Sequence, residues 1–501
     1  ADAITFDGAG TDAVNFTQGT ITVEEIIGAA GANDAAMTIG NTADVTFRDT
    51  VQLSTLNQES NDGMTFYLFD DSTHGNIVLS GTGANDITLG ADAHEDRISI
   101  VVDAAHQLDE GDVITLITDA GGGNPTNQFD LDDSGNTLFL SFTQDATAAA
   151  GTYAINVSVA SPASILALAA DEATNGIDNA ISAAELLVGQ VGAGGVLGTI
   201  RTDFLNSTTA QEAAAIADTL VSNTTSGVVE STIAASNSVR DLTGRRIDFR
   251  RTGEQRQGVS SGELEDDRTY LSPGTRVWVK GFGGLAEQDD RDGFKGYRAD
   301  TYGTAVGIDT TDMYDAGLIG AAFSYAQTEV DSDNVNNTQT DITSYQVTLY
   351  SGFDVAPNTF VNGMVSYTFA ENEYVRSNIG GNPALTARAD YESQQGAVRM
   401  EAGRHFIIGE SVMLTPSFNA DYTYGKADAF SETGVGNAGL RVETDEYQHL
   451  DVGVDVAITS EIQVNPTTIV KPRFNVGYSY AAINDSVKTN SSFLAGGTAF
   501  T

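Results

Sequence analysis

The stretch GVVESTIAASNSVRDLTGRRIDFRRTGEQR, Gly227–Arg256, decides how the rest of the chain is read. Its residues suit a helix. Yet Val228, Ile233, Val239, Leu242 and Ile247 fall all around the circumference, not along the single apolar stripe of a surface helix. Six arginines (Arg240, Arg245, Arg246, Arg250, Arg251 and Arg256) crowd its second half, although the whole chain has only 24 lysines and arginines. A polar-basic helix between two strand-rich regions, one of them strongly acidic, belongs inside something polar and acidic. The expected place is the lumen of a membrane β-barrel, with the N-terminal region held outside.

Composition narrows the classes. A chain of 501 residues has room for two or three domains. Its formal charge of -45, from 69 acids against 24 bases, excludes nucleic acid as a partner, because phosphate contacts need clustered lysine and arginine. There is no cysteine, hence no disulfide framework and no thiolate metal site. No apolar run reaches the ~20 residues of a membrane helix, but barrel strands alternate and escape hydropathy scans. The opening ADAITFDGAG lacks a charged-then-apolar leader, so an exported chain is expected here in processed or shortened form.

Ahead of the helix, residues 1–159 carry apolar-x-apolar units such as Ile4/Phe6, Ile21/Val23, Val45/Phe47, Ile77/Leu79 and Ile98/Ile100, separated by Gly, Asn and Asp. Such short strands with brief turns suit a sandwich or a stacked solenoid. The narrow inward columns favour a right-handed β-helix, closed by a hairpin-rich cap over Gly111–Val157. Residues 160–269 read as a helical linker: an Ala-rich helix, a Gly-rich joint (VGAGGVLG), a helix opened by Thr209 with Glu212 three residues on, the helix at about 227–251, and an acidic connector.

From 270 to 501 the period is 2. Tyr302, Thr304, Val306 and Ile308 alternate with Gly303, Ala305, Gly307 and Asp309; Leu450, Val452, Val454, Val456 and Ile458 alternate with His449, Asp451, Gly453, Asp455 and Ala457. One face is apolar with tyrosines near the strand ends, and the other is small, polar or charged. Alternation alone suits a soluble sandwich equally well. Connections that alternate short (DVAPNT) and long (AENEYVRSNIGGNPALTARAD) decide for an outer-membrane barrel.

Through NSVRDLTGRRIDFRR, RVWVKGFGG (Arg276–Gly284), LIGAAFSYAQTEVD, AVRMEAGRHF and IVKPRFNVGYSY, the chain resembles the autotransporters, the type V self-secretion family of Gram-negative outer membranes. The resemblance implies a twelve-stranded translocator with a helix in its lumen and a β-helical, pertactin-like passenger on the cell surface. It further implies lipid and lipopolysaccharide around the wall, and assembly by the barrel assembly machinery with periplasmic chaperones. A host or neighbouring-cell ligand would meet the passenger. About nine strands and the start of a tenth, at SSFLAGGTAFT, are countable, so the barrel is expected to be shortened. The passenger shows no catalytic constellation and reads as an adhesin-like or coat-like module; no enzyme activity, cofactor or metal is expected. The rivals are an esterase or protease passenger and a porin-like channel.

Several smaller patterns were weighed on the same terms. GVSSG (Gly258–Gly262) has the G-x-S-x-G spacing but sits in the connector, without the strand and helix such an elbow needs. Asp130, Asp132, Ser134 and Gly135 take calcium-loop positions, but position 12 is Ser141, not glutamate. Asn237-Ser238 is where chain cleavage by asparagine cyclisation would fall. The helix arginines Arg240, Arg245, Arg246, Arg250 and Arg251 are expected to pair with lumen acids, the candidates being Asp309, Glu401, Asp421, Asp451 and Asp455, because an unpaired buried charge is costly.

Overall fold

The computed structural model describes residues 4–5, 12–24, 26–27, 35–58, 64–80, 86–89, 97–121, 129–132, 135–169, 177–190, 193–222, 225–252, 274–290, 295–311, 317–334, 336–409, 412–460, 462–465, 468–470, 472–484 and 487–500. The chain divides into two compact units, Ala1–Asp218 and Thr219–Thr501.

The first unit is a parallel solenoid built from three columns of strands. Ala35–Phe47 contributes to two columns: its first half pairs with Thr55–Gln58, its second with Met64–Leu68. Arg97–Val102 continues the second column on Met64–Leu68. The third column runs through Thr50–Leu53, Asn76–Leu79 and Val113–Asp119, so that Val51, Ile77 and Ile117 lie in register. Alternate residues point inward, as in the buried Met64, Phe66 and Leu68, and like residues stack, with Phe47 and Phe66 rings 5.4 Å apart. In the third column parallel stacking ends at Val113–Asp119, whose other edge pairs antiparallel with Thr152–Val159, itself paired with Leu140–Gln144. This is the hairpin-rich stretch read from the sequence.

Four helices follow in the same unit: α1 (Pro162–Ala169), α2 (Ile177–Val188), α3 (Gly195–Leu205) and α4 (Ala210–Asp218). Helix α3 was missed in the sequence, where its glycines read as a joint. It forms because Leu197, Ile200, Phe204 and Leu205 are buried, which outweighs the poor helix propensity of Gly195 and Gly198. At Gly198 a Cβ would stand 1.9 Å from the Ala193 carbonyl oxygen, so the close approach requires glycine. Thr209 caps α4 through Glu212 N–H, 3.2 Å, while Glu212 reaches back to Thr208 N–H, 3.0 Å.

The second unit is a curled antiparallel sheet, half of a barrel wall, holding one helix. Its long strands are β1 (Thr275–Gln288), β2 (Tyr297–Thr310), β3 (Gly317–Ser332), β4 (Gln339–Ala356), β5 (Thr359–Arg376), β6 (Ala387–Arg404), β7 (Val412–Ala427), β8 (Tyr447–Ser460) and β9 (Arg473–Asn484). They pair in chain order, each with the next. The β4–β5 turn is closed by Asn358 at φ 60°. Phe323, Val347, Leu349, Val365, Val454 and Phe474 face outward and are exposed, as a lipid-facing wall requires. No described helix is long and apolar enough to cross a membrane.

One expectation about this sheet is corrected, and one connection has a structure of its own. The SSFLAGG stretch does not begin a tenth wall strand: Thr489–Phe493 pairs with Leu440–Thr444, which also pairs with Phe430–Ser431, in a small sheet of the long connections. Burial of Leu440, Val442 and Phe493 together drives that pairing. The connection between β8 and β9 is a hairpin of its own, Ile462–Asn465 on Thr468–Val470, not a plain turn.

Candidate functional site

Helix α5 (Thr225–Thr252) lies against the inner face of the sheet. Its direction follows from its neighbours. Near its start, Val228 clusters with Ala299, Val330, Ile342 and Ala370, at the strand ends that lead into the long connections. Near its end, Arg250 donates to the Gly274 carbonyl, 2.6 Å, at the short-turn side. The helix therefore runs from the long-connection mouth to the short-turn mouth.

Its contacts surround it because its side chains do. Ile247 packs with Trp278, Ala305, Leu318, Ala322, Tyr350 and Met364, while Val229 and Ile233 meet Tyr447 several strands away. The wall residues beneath are small or polar: Ala322, Ala326, Ser324, Thr328, Ser344, Thr348, Ser366 and Thr368 are buried. At Gly352 an added Cβ would fall 2.4 Å from Ile247 Cγ2, so the helix rests directly on the strand backbone. The small and polar face read from the sequence is thus packed against the helix along these residues.

Among the described residues, ion pairs join the helix to the wall at three main centres, with a longer Asp248–Arg473 pair of 3.5 Å besides. Toward the short-turn end, Asp309 of β2 is fully buried, with Arg246 Nε 2.7 Å from Oδ2 and Arg250 Nε 2.9 Å from Oδ1. The Tyr350 hydroxyl donates to Asp309 at 3.2 Å and accepts from Trp278 Nε1 at 2.8 Å. Higher up, Asp421 of β7 takes Arg399 Nε at 2.6 Å and Arg240 Nη2 at 3.3 Å. Arg240 spreads its other donors over Ser236 (2.7 Å), Ser366 (3.3 Å), Thr423 (3.5 Å) and the Asn237 side-chain oxygen. Arg399 bridges back to Asp241 of the helix. The third centre is Arg251, 3.1 Å from Asp354 and 4.3 Å from the Phe360 ring centre. Spacing explains the separation: Arg246 and Arg250 are four apart and share a face, whereas Arg240 lies six residues back, roughly 120° around the helix. Buried guanidinium groups are tolerated where carboxylates and hydrogen bonds satisfy them.

Among the acids named from the sequence, Asp309 and Asp421 meet helix arginines, and three do not. Glu401 accepts from Asn362 Nδ2 at 2.9 Å, Asp451 pairs with His449 at 2.9 Å, and Asp455 accepts from Asn419 at 2.6 Å. Each is taken by a polar neighbour on its own or an adjacent strand. Arg245 is exposed on the helix. Asp354, the partner of Arg251, was not anticipated because in the sequence it opens the connection DVAPNT, whereas it belongs to the end of β4 and pairs across to Phe360. Asn237 is half-buried and held by Arg240, and the Ser238 hydroxyl donates to the Ala234 carbonyl at 2.9 Å.

The remaining patterns lose their separate meaning or lie elsewhere. Asp132 accepts from Ser99 Oγ at 2.6 Å and Asp130 belongs to a strand; Ser134 lies outside the described residues. So do GVSSG and Arg256. Among the described residues no group of three or more histidines and acids is placed to hold a metal ion.

Residues 277–501 match the family model of the autotransporter β-domain. Outer membrane protein B of Rickettsia prowazekii is 28% identical over 49% of this chain and 15% of its own length. Outer membrane protein A of Rickettsia conorii is 25% identical over 53% of this chain and 13% of its own. The chain thus spans about one seventh of the length of these relatives. Among solved structures, the translocator domain of autotransporter NalP from Neisseria meningitidis matches at 16% identity and a TM-score of 0.36, covering 52% of this chain and 83% of that one. Residues 277–501 thus carry the β-domain of the autotransporters, and the chain belongs in the Gram-negative outer membrane.

Proposed function

We propose that the wall and helix export the chain's own N-terminal region and keep it displayed on the cell surface, with α5 left behind as the plug. The observation that carries this reading is the direction of α5: its N-terminal end lies at the long-connection mouth, the outer side of such barrels. Everything that precedes the helix is therefore delivered outward. The ion pairs at Asp309 and Asp421 suit a plug that stays once seated, since withdrawing it would strand buried charge.

The solenoid and its cap act as a non-catalytic, adhesin-like or coat-like passenger in this reading, meeting a ligand on a host or neighbouring cell. The names of the Rickettsia relatives, outer membrane proteins A and B, support an outer-membrane setting for the chain. The wall is inserted by the barrel assembly machinery after chaperoned passage of the periplasm. The passenger stays attached, because Arg240 engages the Asn237 side chain inside an intact helix. The test is a blot for residues 1–150 on intact cells, with and without external protease, and on the medium. Full-length, protease-sensitive signal on cells is expected. A short species in the medium would overturn attachment, and signal beyond the reach of protease would overturn export.

A further inference from the structure

Residues 219–222, ahead of α5, are gripped by the long connections. Thr219 is buried, and its carbonyl accepts from Arg376 Nη1 at 2.5 Å and from Asn336 Nδ2 at 3.2 Å. Its hydroxyl accepts from the Gly380 N–H at 2.8 Å. Asn336 also reaches the Val221 carbonyl, 3.3 Å, and Ser222 Oγ lies 3.0 Å from the Tyr374 hydroxyl. The grip draws on three separate connections: β3–β4 supplies Asn336, β5–β6 supplies Gly380, and the segment after β7 supplies Glu432.

Glu432 makes the grip rigid. Arg376 Nε and Nη2 donate to its two oxygens at 2.9 and 2.7 Å, with both side chains almost wholly buried. The Leu440 N–H donates to the same carboxylate at 2.8 Å, and the Thr433–Arg388 bridge holds the segment on β6. Phe430 lies beside Tyr391 and Tyr374, ring centres 4.6 and 5.4 Å away. Gly380, at φ 65°, turns its N–H inward in a left-handed conformation that glycine adopts freely.

The buried Arg376–Glu432 pair leaves Nη1 aimed at the exit path, and Asn336 and Gly380 aim N–H groups at the same place. With no chain in the mouth these donors would be buried without acceptors, which is unfavourable. We propose that this cluster is a backbone-reading clasp: it recognises a turn segment presenting two carbonyls and one β-hydroxyl, and it fixes the exported chain at Thr219. It is a second hold at the outer mouth, separate from the ion pairs of α5. The idea rests on the display reading above but concerns where the chain is held.

The absence of cysteine makes the clasp testable by single-cysteine labelling of intact cells with a membrane-impermeant maleimide. Val221→Cys reports the clasp, and Gln52→Cys, on the exposed side of a solenoid strand, reports display. Val221→Cys is expected to react about tenfold or more slowly than Gln52→Cys, because reagent must await local opening. Adding Thr219→Val and Asn336→Ala is expected to bring the two rates close together. Heat-modifiable electrophoretic migration confirms a folded wall in each variant. Equal rates in the parent, or an unchanged Val221→Cys rate after the added substitutions, would overturn the clasp. An unlabelled Gln52→Cys on intact cells would overturn display alone; the same comparison on outer-membrane fragments open on both faces then decides the clasp.

Discussion

The solenoid and the wall are both built on alternation with a period of two, and they use it in opposite senses. In Met64–Leu68 the buried positions are Met64, Phe66 and Leu68. In β3 the buried positions include Ala322, Ser324, Ala326 and Thr328, while Phe323 and Tyr325 face outward. The solenoid is stabilised by removing apolar surface from water. Lipid offers no such gain on the outer face of the wall, so packing and satisfied polar groups must hold its inner face to the helix. One unit should fail when its apolar column is broken, the other when its charges are unpaired.

The largest effect is expected at Asp309. Asp309→Ala would leave Arg246 and Arg250 buried without their carboxylate and destabilise the second unit by roughly 3–5 kcal/mol. The temperature at which the wall loses its heat-modifiable migration should fall accordingly. In the solenoid, Phe66→Ala removes one ring of the stacked Phe47 pair and should cost about 3 kcal/mol, read from thermal unfolding by circular dichroism. If Phe66→Ala disturbed the wall as strongly as the solenoid, the separation of the two units would be lost.

A pH effect is expected in the solenoid unit. His106 is buried, and neither ring nitrogen has a hydrogen-bond partner among the described residues. Burial first, and Arg201 second, lower its pKa to about 4, against the opposing pull of Asp103. The unfolded chain gains a proton near pH 6.5 while the folded one does not. Stability is therefore full above that pH, falls by roughly 2–3 kcal/mol as pH drops from about 6.5 to about 4, and levels off below. His106→Leu should flatten that slope in the same thermal series.

The smallest effect concerns the outer rim of the wall. Asp300, Glu329, Asp341, Glu373 and Asp390 stand directly opposite one another across five strands. Like charges so placed repel. Asp341→Asn should stabilise the wall by about 0.5 kcal/mol, and the gain should shrink as salt screens the row. A loss of stability instead would mean that the row is neutralised by another group.

How much of this was legible depends on range. The lumen helix showed in its crowded arginines and scattered apolar residues, and the wall in its period and its alternating connection lengths; all are local patterns. Helix α3 was hidden because its glycines argue against a helix until Phe204 and Leu205 find a surface to cover. Asp309 and Asp421 could be shortlisted by facing inward, but Glu401, Asp451 and Asp455 face inward too.

By itself, then, the sequence determined the kinds of strand, their facing, the helix and its need for acidic partners, because periodicity and charge are written residue by residue. The tertiary structure alone decided which acid each arginine meets, which loop carries Glu432 to Arg376, and that Thr219 is the residue held between them. Those choices depend on strand register and on the curl of the sheet, which bring together groups 157 residues apart for Arg376 and Thr219 and 56 apart for Arg376 and Glu432. No local pattern encodes such distances, since each partner could equally have paired within its own strand.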